Sequence, residues 1–247
     1  MPSLSTRRLR AVVTAVLALV ALGSAGLWLR SSSLVRVKDV TITGIDGRQS
    51  QAIRNALTAS ALDMTTLKVD EAELRRSVEN FPVVRSLRAS ADFPNRLRIT
   101  VNAYEPVAAL KRGGNLTAAA ADGTLLRGTS TRGLAVVGVQ LTPGGERTTD
   151  ARALDAIRVL AAAPAPLRRR VARVYRGDRG LAATVENGPK LYFGGGLRLH
   201  AKWAAAVQVL ASERSQGASY VDLRIPERPV AGGFQPRVDQ VSTSTVD

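Results

Sequence analysis

The sequence predicts an α+β chain: a single N-terminal transmembrane helix, a module ordered strand, helix, helix, strand, strand, and then a mixed β-rich module with two helices. Three observations predict it. Residues 11–29, "AVVTAVLALVALGSAGLWL", carry no charge. Beyond them, apolar residues alternate with period two in some stretches and recur every three or four positions in others, which marks half-buried strands and amphipathic helices. The 247 residues also leave room for more than one core, since about 100 to 150 residues is the commonest domain size.

Composition narrows the chemistry. An apolar content of 45% is that of a mostly ordered globular chain. There is no cysteine, which excludes a disulfide framework, a thiolate nucleophile and a cysteine-based zinc site. The net charge of +15 raises nucleic acid and anionic lipid as partners. Only Lys38, Lys68, Lys111, Lys190 and Lys202 are lysines, so arginine carries the excess. It is scattered along the chain, whereas a nucleic-acid footprint gathers its basic residues on one face.

The uncharged run follows Arg7, Arg8 and Arg10 and precedes Arg30. At 1.5 Å per residue it spans about 28 Å, close to the hydrocarbon thickness of a bilayer. The basic cluster keeps residues 1–10 in the cytoplasm under the positive-inside rule and places everything after Arg30 outside the cell membrane. Gly23 and Ala25 also suit a cleaved signal peptide. Against cleavage, the apolar run continues through Leu27, Trp28 and Leu29, and tryptophan suits a membrane interface.

Residues 34–104 form the first exported module. Val35 and Val37, then after a shift of phase Val40 and Ile42, read as a bulged strand ending in a turn at Gly44. Ile53, Leu57 and Ala61 form the stripe of a helix from about Ser50. Asp70 caps a second helix, with Glu73 three residues on in the manner of a capping box. Its stripe is Leu74, Val78 and Phe81, and Pro82 ends it. Leu87, Ala89 and Ala91, a turn at Phe93 to Asn95, and Leu97, Ile99 and Val101 alternating with Arg96, Arg98 and Thr100 make a hairpin.

Residues 105–234 form the second. Short strands are predicted at Val107 to Leu110, Leu116 to Ala119, Leu125 to Leu126 and Leu134 to Val139, with Asp122-Gly123 as a hairpin turn. The loop from Thr142 ends at Asp150, the N-cap of a helix carrying Leu154, Ile157 and Leu160 that stops at "APAP", Ala163 to Pro166. Strands follow at Val171 to Tyr175, Leu181 to Val185 and Leu191 to Phe193, the last two joined by Asn187-Gly188. Gly194 to Gly196 leads into a helix with Leu199, Trp203, Ala206 and Leu210 on one face. The final strand is "SYVDLR", where Val221, Leu223 and Ile225 alternate with Asp222 and Arg224. Pro226 and Pro229 mark it as an edge strand, because proline cannot donate to a ladder. Residues 235–247 lack periodicity and read as a disordered tail.

No catalytic constellation emerges. His200 has Arg198 and Lys202 beside it and no nearby acid to complete a triad or metal set. Asp70, Glu71 and Glu73 are first-turn acids that complement a helix dipole. Gly194 to Gly196 lacks the lysine and hydroxyl of a phosphate loop and reads as a flexible turn. No cofactor is implied, and the default is a binding protein.

The order of these elements, together with "VKDVTITG", "NFPVVRSLRASADFPNRLRITVNAYEPVA" and "SYVDLR", resembles a POTRA domain followed by the β domain of the bacterial cell-division family FtsQ/DivIB. The resemblance implies a non-enzymatic, single-pass scaffold of the divisome at the septum. Its partners would be FtsB/DivIC-like and FtsL-like membrane proteins, with the septal peptidoglycan synthase complex a further candidate. It also implies that the last strand accepts a partner strand by β-augmentation. The residues carried over are Tyr220, Val221, Asp222, Leu223, Arg224 and Ile225, with Phe234 contributing a side chain. The apolar members of the strand are expected in the core, and the prolines limit its pairing. Two other classes compete. An outer-membrane assembly component would be followed by ten-residue barrel strands, which are missing. A membrane-anchored nucleic-acid binder would lose affinity steeply with salt, and export of the basic modules argues against it.

Overall fold

The computed structural model describes residues 14–21, 35–140 and 145–234. Residues 14–21 are helical. The rest of the predicted span 11–29, the predicted cytoplasmic tail 1–10 and the predicted disordered tail 235–247 lie outside the described residues. Among the described residues no helix is long and apolar enough to cross a membrane. The chain divides into two compact units, Met1–Ala103 and Tyr104–Asp247.

The first unit contains β1 (Asp39–Thr43), α1 (Ser50–Leu62), α2 (Glu71–Ser77), β2 (Val84–Asp92) and β3 (Arg96–Ala103). The sheet order is β1-β3-β2, with β1 parallel and β2 antiparallel to β3. Ile53, Leu57 and Ala61 of α1 and Leu74 of α2 meet Leu87, Leu97, Ile99 and Val101 in one core. Full burial of each large aliphatic is worth about 1.5 to 3 kcal/mol. Gly44 ends β1 at φ +83°, and a Cβ there would lie 2.1 Å from the carbonyl oxygen of Val101. Only glycine fits such a site.

Two expectations change in this unit. The phase shift at Lys38 and Asp39 is the start of β1 and not a bulge. The buried Val35 and Val37 pair instead with the connection after α1, where Thr66 N–H donates to the Val35 carbonyl (2.8 Å) and Val37 N–H to the Met64 carbonyl (3.1 Å). Helix α2 also stops at Ser77, not at Pro82. Its cap holds as expected, Asp70 Oδ1 accepting from the N–H groups of Ala72 (2.9 Å) and Glu73 (3.1 Å). Past Ser77 the chain tightens into i to i+3 turns, with Phe81 N–H donating to the Val78 carbonyl (2.9 Å).

The second unit is a nine-stranded sheet with two principal helices. Its strands are β4 (Pro106–Arg112), β5 (Asn115–Ala120), β6 (Leu125–Leu126), β7 (Ala135–Gly138), β8 (Val171–Gly177), β9 (Gly180–Val185), β10 (Lys190–Gly194), β11 (Tyr220–Asp222) and β12 (Val230–Gly232). Helix α3 (Ala151–Ala161) links β7 to β8, followed by the short α4 (Ala165–Arg168), and α5 (Leu199–Ala211) links β10 to β11. Strand order is β12-β11-β10-β9-β8-β7-β4-β5-β6. Both helical connections join parallel neighbours, β7 with β8 and β10 with β11, as parallel pairing requires a crossover. The two tight turns form as the Asp-Gly and Asn-Gly pairs predict. Asp122 Oδ1 accepts from Thr124 N–H (3.0 Å), and Asn187 adopts φ +51°.

Helices α3 and α5 bury one face of the sheet. Trp203 packs on Phe193 with ring centroids 4.9 Å apart and donates its indole N–H to the Val159 carbonyl (2.8 Å). That bond satisfies the polar end of a fully buried ring. Leu154 and Leu210 of the predicted stripes are half-buried, while Ala153, Ala156 and Val159 complete the α3 face.

Candidate functional site

The sheet ends at β11 and β12. Val221 and Leu223 are fully buried in the main core, as alternation predicts. The strand itself is shorter than predicted and is not an edge. It covers Tyr220–Asp222, lies parallel to β10 with Leu191 opposite Val221, and is covered on its other side by antiparallel β12 with Ala231 opposite Val221. Leu223 N–H adds one more bond, to the Tyr192 carbonyl (2.8 Å). Over Tyr220–Asp222 the predicted open edge is therefore occupied by the chain's own next strand, and Leu223 to Ile225 lie beyond β11.

The prolines explain the difference. Pro226 and Pro229 frame a reversal in which Arg228 N–H donates to the Ile225 carbonyl (3.0 Å). The chain then returns as β12. Ile225 consequently leaves the core and is 60% exposed, joined by Val230 at 55% and Phe234 at 50%. The terminal edge of the sheet is Val230–Gly232, which contributes the exposed Val230 and is flanked in sequence by the exposed Ile225 and Phe234.

Two glycines let β12 lie close. A Cβ on Gly232 would stand 2.5 Å from Tyr220 Oη, and one on Gly233, at φ +68°, would stand 2.0 Å from Ser219 Oγ. Ser219 N–H donates to the Gly232 carbonyl (3.0 Å).

The face of β10 and β11 opposite the helices carries aromatic and basic groups. Tyr192 and Tyr220 stand 5.9 Å apart, and the Arg179 guanidinium sits 5.0 Å from the first ring and 5.6 Å from the second. Such stacking holds an arginine in place at modest gain. Next to it Arg224 grips Asp222, with Nε 2.9 Å from Oδ2 and 3.0 Å from Oδ1, and Nη2 2.7 Å from Oδ2. Burial pushes the Asp222 carboxyl up, but the Arg224 hydrogen bonds and the charges of Arg224 and Arg179 outweigh it and hold it below its usual range. Glu227 in the reversal forms an ion pair with Arg198, whose hydrogen bond likewise lowers the Glu227 carboxyl.

The turn at Gly194 to Gly196 is pinned, contrary to the flexible turn expected. Lys202 is buried, and its Nζ donates to the carbonyls of Phe193 (2.7 Å) and Gly195 (2.9 Å). Desolvation and the nearby Arg198 lower its pKa. His200 lies on the first turn of α5, beside Arg198 and Leu199. No group of three metal-ligating side chains occurs among the described residues.

Of the predicted site residues, Tyr220, Asp222 and Arg224 share the aromatic and basic face or its border, Val221 and Leu223 are core, and Ile225 and Phe234 flank β12. Sequence reasoning missed Val230, Ala231 and Gly232, as well as Arg179 and Tyr192. Three residues are too few for periodicity to register, although the Gly232-Gly233 pair after a Val-Ala step was a usable signal of close backbone approach.

Comparison with protein families gives one match in each unit. Residues 35–104 match the family described as POTRA domain, FtsQ-type, and residues 108–224 match the family described as Cell division protein FtsQ/DivIB, C-terminal. The second match ends at Arg224, before β12. No curated protein matches the chain. With both modules of the family present in the family's order, the chain belongs to the FtsQ/DivIB family of cell-division proteins.

Proposed function

We propose that the protein is a non-enzymatic bitopic scaffold of the divisome, anchored in the cell membrane by residues 11–29, with both folded units outside and β12 as its docking edge. One observation carries the proposal: Val230–Gly232 is the last strand of the sheet and is paired on one side only among the described residues. An incoming extended segment can take the unused backbone groups of β12, and alternate side chains then set its register. Ile225, Val230 and Phe234 offer apolar contact at that edge. Tyr192, Tyr220 and Arg179 lie on the adjoining face and favour a partner with aromatic or acidic side chains.

The partner on this reading is an FtsB/DivIC-like single-pass protein together with its FtsL-like companion, linking the scaffold to septal peptidoglycan synthesis. A fluorescent fusion of the full chain, imaged in dividing cells, tests the role. Septal bands support it, and an even membrane signal through division contradicts it. Removing 229–234 is expected to leave septal recruitment in place while abolishing capture of the FtsB/DivIC-like partner.

A further inference from the structure

The sheet of the first unit has its own long free edge. β2 is a nine-residue strand that, among the described residues, pairs only with β3. Its neighbour across the ladder places Ala89 opposite Ile99. In an antiparallel pair alternate residues direct their N–H and C=O groups toward the partner strand, and those between point away. Ala89 N–H donates to Glu71 Oε1 at 2.9 Å. That donor therefore faces outward, and Leu87, Ala89 and Ala91 form the outward-facing set.

Glu71 is the first residue of α2, held there by the Asp70 cap. Its carboxylate thus reaches the middle of the exposed edge from the helix layer and occupies the donor an incoming strand needs first. Charged side chains directed at an edge are a recognised way of keeping sheets from adding strands. The opposite side of the same sheet carries a counterpart of the other sign, with Arg54 of α1 donating to the carbonyls of Ile42 (2.6 Å) and Ile45 (2.8 Å).

We infer that Glu71 is a plug on the β2 edge, and that β2 is a latent strand acceptor whose occupant, once the plug is withdrawn, is β2 of a second copy of this chain. The strand is self-complementary about Ala89. A two-fold antiparallel pairing centred there sets Leu87 against Ala91, Arg88 against Ser90 and Ser86 against Asp92 of the other copy, with no like charges directly opposed. It would also use the N–H of Ala89 in its central bonded pair. Glu71 must release that group before the pairing can form, and burying its carboxylate beneath a second strand is unfavourable.

The absence of cysteine makes the test direct. Full-length chains carrying Arg88→Cys and Ser90→Cys are mixed in detergent micelles and oxidised, in three backgrounds. With Glu71 present, and with Glu71→Gln, whose amide oxygen still accepts from Ala89, little mixed disulfide is expected. With Glu71→Ala the mixed disulfide is expected to rise severalfold over either homodimer. Equal cross-linking with Glu71 and Glu71→Ala, or equal cross-linking with Glu71→Gln and Glu71→Ala, overturns the inference. A second measurement does not depend on the variant folding. In the unaltered chain the Ala89 amide is expected to exchange about tenfold more slowly than that of Ala91 after correction for intrinsic rates, the size of one net hydrogen bond. An Ala89 amide as fast as Ala91 overturns it equally.

Discussion

Arg224 binds both carboxylate oxygens of Asp222, two residues away, and its own backbone N–H also donates to Asp222 Oδ1 at 3.0 Å. The pair sits where β11 ends and the chain turns toward β12. It therefore couples a titratable group to the geometry of the sheet's terminal strand.

The sign of that coupling follows from the lowered Asp222 carboxyl. A group whose folded pKa lies below its unfolded value stabilises the fold at pH above the unfolded value, and the contribution is lost as pH falls through the folded one. The Asp222 contribution is therefore complete at neutral pH and fades only below about pH 4. A carboxyl-resolved titration is expected to place Asp222 below an ordinary aspartate, and Arg224→Ala to move it upward. No movement would separate the two residues.

Gly44→Ala is expected to destabilise the first unit by about 2 kcal/mol or more, from positive φ together with a clash on the Val101 carbonyl. Gly47, also at positive φ but with nothing within 4 Å of a Cβ, is the control, with a loss of about 1 kcal/mol. Chemical denaturation of the two variants gives the comparison.

Lys202→Met keeps the volume and removes the donor, which leaves the carbonyls of Phe193 and Gly195 without their buried partner. A loss of about 1 to 3 kcal/mol is expected, along with faster amide exchange through Gly194 to Gly196. Stability unchanged and exchange unchanged would show that the turn holds without the lysine.

Trp203→Phe retains the contact with Phe193 and deletes the bond to the Val159 carbonyl. About 1 to 2 kcal/mol is expected from the unpaired carbonyl and the lost ring volume. Thermal unfolding followed by circular dichroism measures it.

Much of this fold was legible because strong periodicity and turn chemistry agreed. Ile53, Leu57 and Ala61, the Asp70 and Asp150 caps, and the Asp122-Gly123 and Asn187-Gly188 turns each speak locally, and each forms as read. What failed depends on contacts distant in sequence. Val35 and Val37 are buried with their backbone bonded to Thr66 and Met64, and they do not extend β1. Ile225 keeps strand period yet leaves the sheet, since two prolines turn the chain before it can pair. The sheet's terminal edge lies one strand later than the sequence predicts for the same reason, and nothing in the local sequence shows that the Lys202 amine meets the carbonyls of Phe193 and Gly195.

The most direct test of the account is amide exchange on the full chain in micelles, with and without a co-purified FtsB/DivIC-like partner. The account predicts that binding slows exchange at Val230, Ala231 and Gly232 while the opposite end of the sheet, Leu125 and Leu126, is unchanged. Tight binding that leaves all three β12 amides as fast as before would contradict it.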